Sequence, residues 1–273
     1  MKTNLKLIDN QFHEINYPSS RQFTMDLGKI GREKHHVKAL LEIDVTEARK
    51  KIKMNRQAGK KIAFLAWLIK VTADCIKLHQ IVNGINQPKR NRVVVFYDVD
   101  LCVVVEKEVG GVRVPLPYVI RKANQKTYEQ INAEIQQAKN QIVSDEGNYV
   151  LGTSYRTSLM KIFVRFPAWL RLMLMRIFVF DNPARVKNMM GTVMVTTVGM
   201  LGHTRGWLVP FSMHPLCLAF GSLNKQPRVY KGEIQIREIL HLTVLIDHDV
   251  VDGMPAAKFV DDLVRKMEAG WEL

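Results

Sequence analysis

IREILHLTVLIDHDVVDGMPAAKFVDDLVRKMEAG, Ile236–Gly270, is the stretch that decides the fold. Its first part is an apolar, β-branched run. Leu242, Val244, Ile246 and His248 alternate onto one face, and His241, Thr243, Leu245 and Asp247 onto the other. Its last part is helical: Ala256, Phe259, Val260, Leu263, Val264 and Met267 recur at i, i+3, i+4, i+7, with Pro255 in the first turn and Gly270 past the end. A helix of that kind lays one apolar stripe on a sheet. Between the two parts sits HDVVDG, His248–Gly253, where an imidazole emerges as the apolar face ends and Asp252 follows four residues later. A neutral imidazole there can take a proton from a bound nucleophile near neutral pH. Gly253 permits a sharp backbone path into the helix. Packing alone also allows a hydrogen-bonded turn histidine and a helix-start carboxylate.

Working outward, a short helix is expected to open on Ser19 or Ser20, and HHVKALLEIDV reads as a strand. Asp44 and Glu47 have capping-box spacing ahead of EARKKIKM, and Thr127 and Gln130 have it ahead of YEQINAEIQQAKNQIV. KIAFLAWLIKVTADCIKL is apolar on most sides and is expected to be largely buried. VVVFYDVDLCVVVEKE and VRVPLPYVI, separated by Gly110-Gly111, read as strands, as do TVMVTTVG, LCLAFGSL and VYKG. With no repeats or Ser/Pro linkers, residues 1–273 are expected to form a single α+β domain.

The chain has 273 residues, 47% of them hydrophobic, enough for a full core. Lys plus Arg exceeds Asp plus Glu by 14, a surplus that attracts polyanions such as nucleic acid, anionic headgroups or phosphorylated cofactors. The surplus is spread over several helices without any nucleic-acid-binding motif, so no nucleic-acid partner is expected. Cys75, Cys102 and Cys217 are odd in number and far apart, which fits neither a disulfide framework nor a zinc site. Residues 1–30 carry charges throughout and lack the apolar core of a secretory signal. A cytoplasmic location is expected, with peripheral membrane contact as a variant.

The pattern H-x-x-x-D-G after a hydrophobic strand resembles the active-site motif of the chloramphenicol acetyltransferase superfamily, which includes the catalytic cores of dihydrolipoamide acyltransferases. The likeness extends over roughly residues 15–270. ALLEIDVTEARKKIK with KIAFLAWLIKVTADCIK resembles the strand, helix, helix order near the start of those cores, and GTVMVTTVGMLG with PLCLAFGSL resembles their hydroxyl-bearing strand and its partner. The resemblance implies a chloramphenicol acetyltransferase-like mixed sheet flanked by helices. It makes His248 the general base, Asp252 a buried structural carboxylate paired with Arg21 near the chain start, and Thr196 the oxyanion donor, with Thr197 the fallback. It implies coenzyme A or acyl-CoA as substrate, no metal, no covalent lipoyl group on this chain, and a homotrimer or higher oligomer with sites between subunits. Removing one partner of a buried Arg21–Asp252 pair would leave an uncompensated charge costing about 3–5 kcal/mol.

Three departures stand out. Asp249 replaces the arginine usual after the histidine, Thr196-Thr197 replaces Ser-Asn, and no lipoyl or subunit-binding domain is recognised. The leading expectation is therefore a freestanding acyltransferase acting on a thiol, hydroxyl or amine, small or lipid-like. The alternatives are a weakly catalytic or non-catalytic assembly scaffold, and a core served in trans by separate lipoyl domains.

In SLMKIFVRFPAWLRLMLMRIFVFDNPARVKN, Ser158–Asn188, helical spacing puts Lys161, Arg165, Leu172 and Arg176 in one stripe with Arg171 beside it, and Pro167 is expected to bend the run. Charge and proline interrupt it too often for a membrane span. It suits packing under a neighbouring helix or subunit, a bilayer interface, or the lining of an acyl pocket. His35-His36 is expected at a strand edge, His203 and His214 in exposed loops, and Trp169 and Trp207 as packing anchors.

Overall fold

The computed structural model describes residues 19–60, 62–109, 112–141, 162–163, 165–197 and 205–273. The Gly110-Gly111 turn, Lys161 and His203 lie outside the described residues. Among the described residues, eight strands fall in two sheets: β1 His36–Asp44, β2 Ile85–Gln87, β3 Arg92–Val94, β4 Leu101–Val109, β5 Val112–Ile120, β6 Val193–Thr197, β7 Leu216–Tyr230 and β8 Glu233–Asp247. The main sheet has the order β1-β8-β7-β6-β4-β5, with β6 parallel to β4 and β7 and the other pairs antiparallel; β2 and β3 form a separate hairpin.

The helices are α1 Ser19–Arg32, α2 Thr46–Gln57, α3 Phe64–Leu78, α4 Tyr128–Asn140, α5 Ala168–Met175 continued by a π turn to Phe180, α6 Pro183–Met190 and α7 Gly253–Ala269. Helix α7 uses its expected stripe: Ala256, Phe259, Leu263 and Met267 are buried. They share one core with Trp67, Leu68 and Ile76 of α3, Ile131 of α4, Val193 and Val195 of β6, and Val244 of β8. Nine of the fifteen α3 residues are buried, so this helix forms the centre of the helical layer. A second, smaller cluster joins Ile30 of α1, Met175 of α5, and Val186 and Met190 of α6.

The Thr127–Gln130 capping box is closed in both directions. The Asp44–Glu47 box is not. Val45 takes the cap position; Asp44 Oδ1 still accepts the Thr46 N–H at 3.0 Å, but Glu47 is drawn to Lys50 and Arg237. The run Val93–Glu108 is not one strand either. Its aspartates leave the ladder: Asp100 takes Arg121 and Lys187, each at 2.9 Å, so the chain turns there between β3 and β4. VYKG belongs to a 15-residue β7 continuous with LCLAFGSL, and Lys231 and Gly232, with φ of 53° and 85°, form a left-handed two-residue turn into β8.

Candidate active site

His248 sits one residue beyond β8, exposed, and its backbone N–H donates to the His35 carbonyl at 2.9 Å. Asp247, directly before it, is fully buried. The Lys34 ammonium donates to Asp247 Oδ2 at 2.7 Å, the Asp249 N–H donates to Oδ1 at 3.3 Å, and the Asp247 carbonyl accepts the amides of Val250 and Val251. The turn carrying the imidazole is thus held by a buried carboxylate and its ammonium.

The expected support from Asp252 is not found within the chain. Asp252 is exposed at the cap position of α7 and its side chain accepts no helix amide. Arg21 is exposed on α1, and no ion pair joins the two among the described residues. The end of α7 faces solvent in a single chain, so nothing desolvates a pair there. The buried arginine–carboxylate pair anchoring α1 has its roles exchanged: Asp26 of α1 receives Arg171 of α5, Nε to Oδ2 at 2.6 Å. Gly253 opens α7 where an added Cβ would meet nothing, so sterics within one chain do not require glycine.

Thr196 is half-buried on β6. Its row across the sheet is Thr196, Ala219, Thr243, Leu40, whereas the row nearest the His248 end runs Val193, Leu216, Ile246, Val37. Strand geometry then puts His248 and Thr196 roughly 19 Å apart. Alternation also separates their faces. Val193 and Val195 enter the helix-covered core, so Thr196 takes the other face and Thr197 the core side. His248 borders the helical face, at one end of an apolar groove of about 480 Å³ between β1, β8 and α7. Within one chain the two groups are therefore too far apart, and on opposite faces, to act on the same thioester carbonyl.

Residues 21–146 and 182–273 match the sequence profile of the 2-oxoacid dehydrogenases acyltransferase (catalytic domain). The chain belongs to this acyltransferase family. It is 25% identical over 210 residues to the dihydrolipoyllysine-residue acetyltransferase component of the pyruvate dehydrogenase complex of Mycoplasma pneumoniae, covering 76% of this chain and 42% of that protein. The Mycoplasma genitalium counterpart is 26% identical, with 76% and 44% covered, so the chain spans less than half the length of these curated relatives. Among solved structures, a probable dihydrolipoamide acetyltransferase from Listeria monocytogenes superposes with a TM-score of 0.66 at 18% identity, covering 96% of this chain and 97% of that one. The Azotobacter vinelandii dihydrolipoamide acetyltransferase gives 0.65 at 19%, covering 97% and 96%. At these identities the likeness is one of fold.

The 2-oxoacid dehydrogenase acyltransferase profile leaves residues 147–181 unmatched. Within them Pro167 breaks the helix rather than bending it, standing at the cap of α5. Leu172 packs into the smaller core cluster. Trp169 is no packing anchor: it is 67% exposed, and Met173 and Ile177, four and eight residues on, are 43% and 51% exposed. Trp207 is also exposed, at 36%, but it donates its indole N–H to the Leu41 carbonyl and lies edge-on to His241. No helix among the described residues is long and apolar enough to cross a membrane.

Three other described histidines have structural roles. His214 is buried rather than in an exposed loop, and burial lowers its pKa to about 4. His35 does sit beside β1, but it has a distant acidic partner: its Nδ1 lies 3.0 Å from Asp249 Oδ1, and that hydrogen bond and charge raise its pKa. Ser222, His241 and Glu42 line up in the order of a hydrolytic triad, with Ser222 Oγ 2.9 Å from His241 Nδ1. Ser222 and His241 are buried, and the serine oxygen already accepts Gly206 N–H and Asn224 Nδ2, so it is not a free nucleophile.

All three cysteines are free and buried. The linear spacing gave no sign that Cys75, His79 and Asp262 meet, with ligand atoms within 4.8 Å of one another. Lys266 is already paired with Asp262, and burial pushes the Cys75 thiol well above its ordinary pKa. The cluster ties α3 to α7.

Proposed function

We propose that the protein transfers an acyl group between coenzyme A and a thiol, hydroxyl or amine acceptor, at a site shared by two copies of the chain. The observation that carries this reading is His248: an exposed imidazole on a turn fixed by the buried Asp247 carboxylate and its Lys34 partner, at the end of an apolar groove, within the family match. The Azotobacter structure was determined to investigate a serine, a histidine and an asparagine in its catalytic mechanism, the last two spaced like His248 and Asp252. His248 takes the proton of the acceptor, the acceptor attacks the thioester carbon, and the Thr196 hydroxyl of a second copy donates to the developing oxyanion. Collapse breaks the carbon–sulfur bond and the proton passes to the coenzyme A thiolate. Asp252 and Gly253, exposed beside His248, belong to the side of the site that a second copy closes.

A second copy also has somewhere to dock. The β7–β8 hairpin continues past Ile239, the last β8 residue near β1, and carries the largely exposed Val229, Ile234 and Ile236. Burying them in a neighbour supports a homotrimer or larger assembly. A dihydrolipoyllysine residue carried by another chain fits the acceptor side, the group after which the relatives are named. The stripe Trp169, Met173, Ile177 beside exposed Arg165 and Arg185 supports peripheral contact of 158–188 with an anionic bilayer surface.

The test is thiol release from acetyl-CoA and longer acyl-CoAs with dihydrolipoamide as acceptor. His248→Ala is expected to lose about 10²–10⁴-fold in rate. Equal rates for variant and wild type would contradict His248 as the general base, and no thiol release from either would favour the assembly-scaffold reading.

A further inference from the structure

The groove ending at His248 is bounded by edge strand β1, by β8 and by α7, with Val37, Val244, Ile246, Val251, Val260 and Val264 among its walls. Of its twelve described lining residues only His248 and Asp261 have polar side chains. Asp261 is turned to solvent and paired with Arg265 at 3.1 Å, which leaves the imidazole as the polar group at the working end. Small side chains on both sides leave the space open: Ala39 on the strand, and Ala256 and Ala257 on the helix, are among its lining residues. Protein interiors are normally filled to crystal density, and Val37 here remains 46% exposed over an apolar floor. A volume of about 480 Å³ is within the range of small-molecule sites.

We propose that this groove seats the aliphatic tail of the transferred acyl group, making linear acyl thioesters of medium length the preferred donors over acetyl. The inference rests on the acyl-transfer reading above and names its substrate class. With the thioester carbon beside His248, the tail runs along α7 from Gly253 toward Val264. That path is about 16 Å long, the reach of an extended chain of roughly a dozen carbons. The bonds made and broken are those of the proposed transfer: carbon–sulfur breaks, carbon–acceptor forms, and the acceptor's proton ends on coenzyme A. Each methylene buried in the groove adds affinity without entering the chemistry.

The experiment compares acetyl-, butyryl-, octanoyl-, lauroyl- and palmitoyl-coenzyme A in two readouts on the full chain: kcat/KM for thiol release to dihydrolipoamide, and equilibrium binding by calorimetry. Octanoyl and lauroyl donors are expected to exceed acetyl by about tenfold or more, since two buried methylenes already supply that factor. Ala257→Trp, which fills the groove from an exposed helix position, is expected to reduce the lauroyl-to-acetyl ratio by about the same factor in both readouts. Transfer with no dependence on chain length would overturn the groove assignment while leaving acyl transfer standing. Absence of transfer from every donor would remove the underlying reading, and binding alone would then decide the groove: equal retention of lauroyl- and acetyl-coenzyme A overturns it. Dissociation of the oligomer by Ala257→Trp, with unchanged donor preference, would mean that a second copy of the chain fills the groove.

Discussion

Lys34 and Asp247, 213 positions apart, meet at 2.7 Å beneath the turn that presents His248. The carboxylate is fully buried and the ammonium a quarter exposed, so each depends on the other for its desolvation. Lys34→Met is expected to destabilise the fold by about 2–4 kcal/mol, below the fully buried range because water softens the loss. Chemical denaturation measures it. A change within about 0.5 kcal/mol would mean that the pair does not hold the turn.

Asp26 and Arg171 form a more deeply buried pair, and the Arg171 Nη1 also donates to the Phe166 carbonyl at 2.6 Å. Arg171→Met leaves the buried Asp26 carboxyl without its partner. A loss of about 3–5 kcal/mol is expected, with α5 released from α1 first, readable as fast amide exchange in 168–175. Unchanged exchange there would contradict the anchoring role.

His214 makes stability depend on pH. In the folded chain it stays neutral to about pH 4, whereas its ordinary value of 6.5 applies once unfolded. The unfolded state therefore binds more protons between those values. Stability is full above about pH 6.5 and declines as pH falls toward 4, by on the order of 3 kcal/mol from this group. His214→Gln should flatten that slope in urea titrations at pH 5 and 7.5. An unchanged slope would assign the acid sensitivity elsewhere.

The exposed stripe of α5 makes a separate forecast. Phosphatidylglycerol vesicles should sediment the protein, high salt should release it, and Trp169→Ser with Met173→Ser should weaken binding by about tenfold or more. Recovery of all protein in the supernatant at low salt would assign the stripe to contacts between copies of the chain.

What was legible in the sequence was local. The α7 stripe, the Thr127–Gln130 box and the burial of α3 are set by residues within a turn or two of one another, and each stands as read. What escaped was long-range. Nothing local in the motif points to Asp247, whose partner Lys34 lies 213 positions away and which holds the turn carrying His248. His214 looked like a loop histidine, but burial and its contact with the Met190 carbonyl come from tertiary packing. The residue type of Trp169 suggests an anchor, and only the break at Pro167 and the docking of Arg171 turn its side of α5 outward.

The most direct test is complementation between two inactive proteins. His248→Ala and Thr196→Ala are each expected to be nearly inactive alone. Unfolded together and refolded into mixed oligomers, they should regain about a quarter of the wild-type sites, because an intact histidine from one chain then meets an intact threonine from another. Mixed oligomers verified by native mass spectrometry that remain as inactive as their parents would show that these two groups do not share a site across the chain boundary.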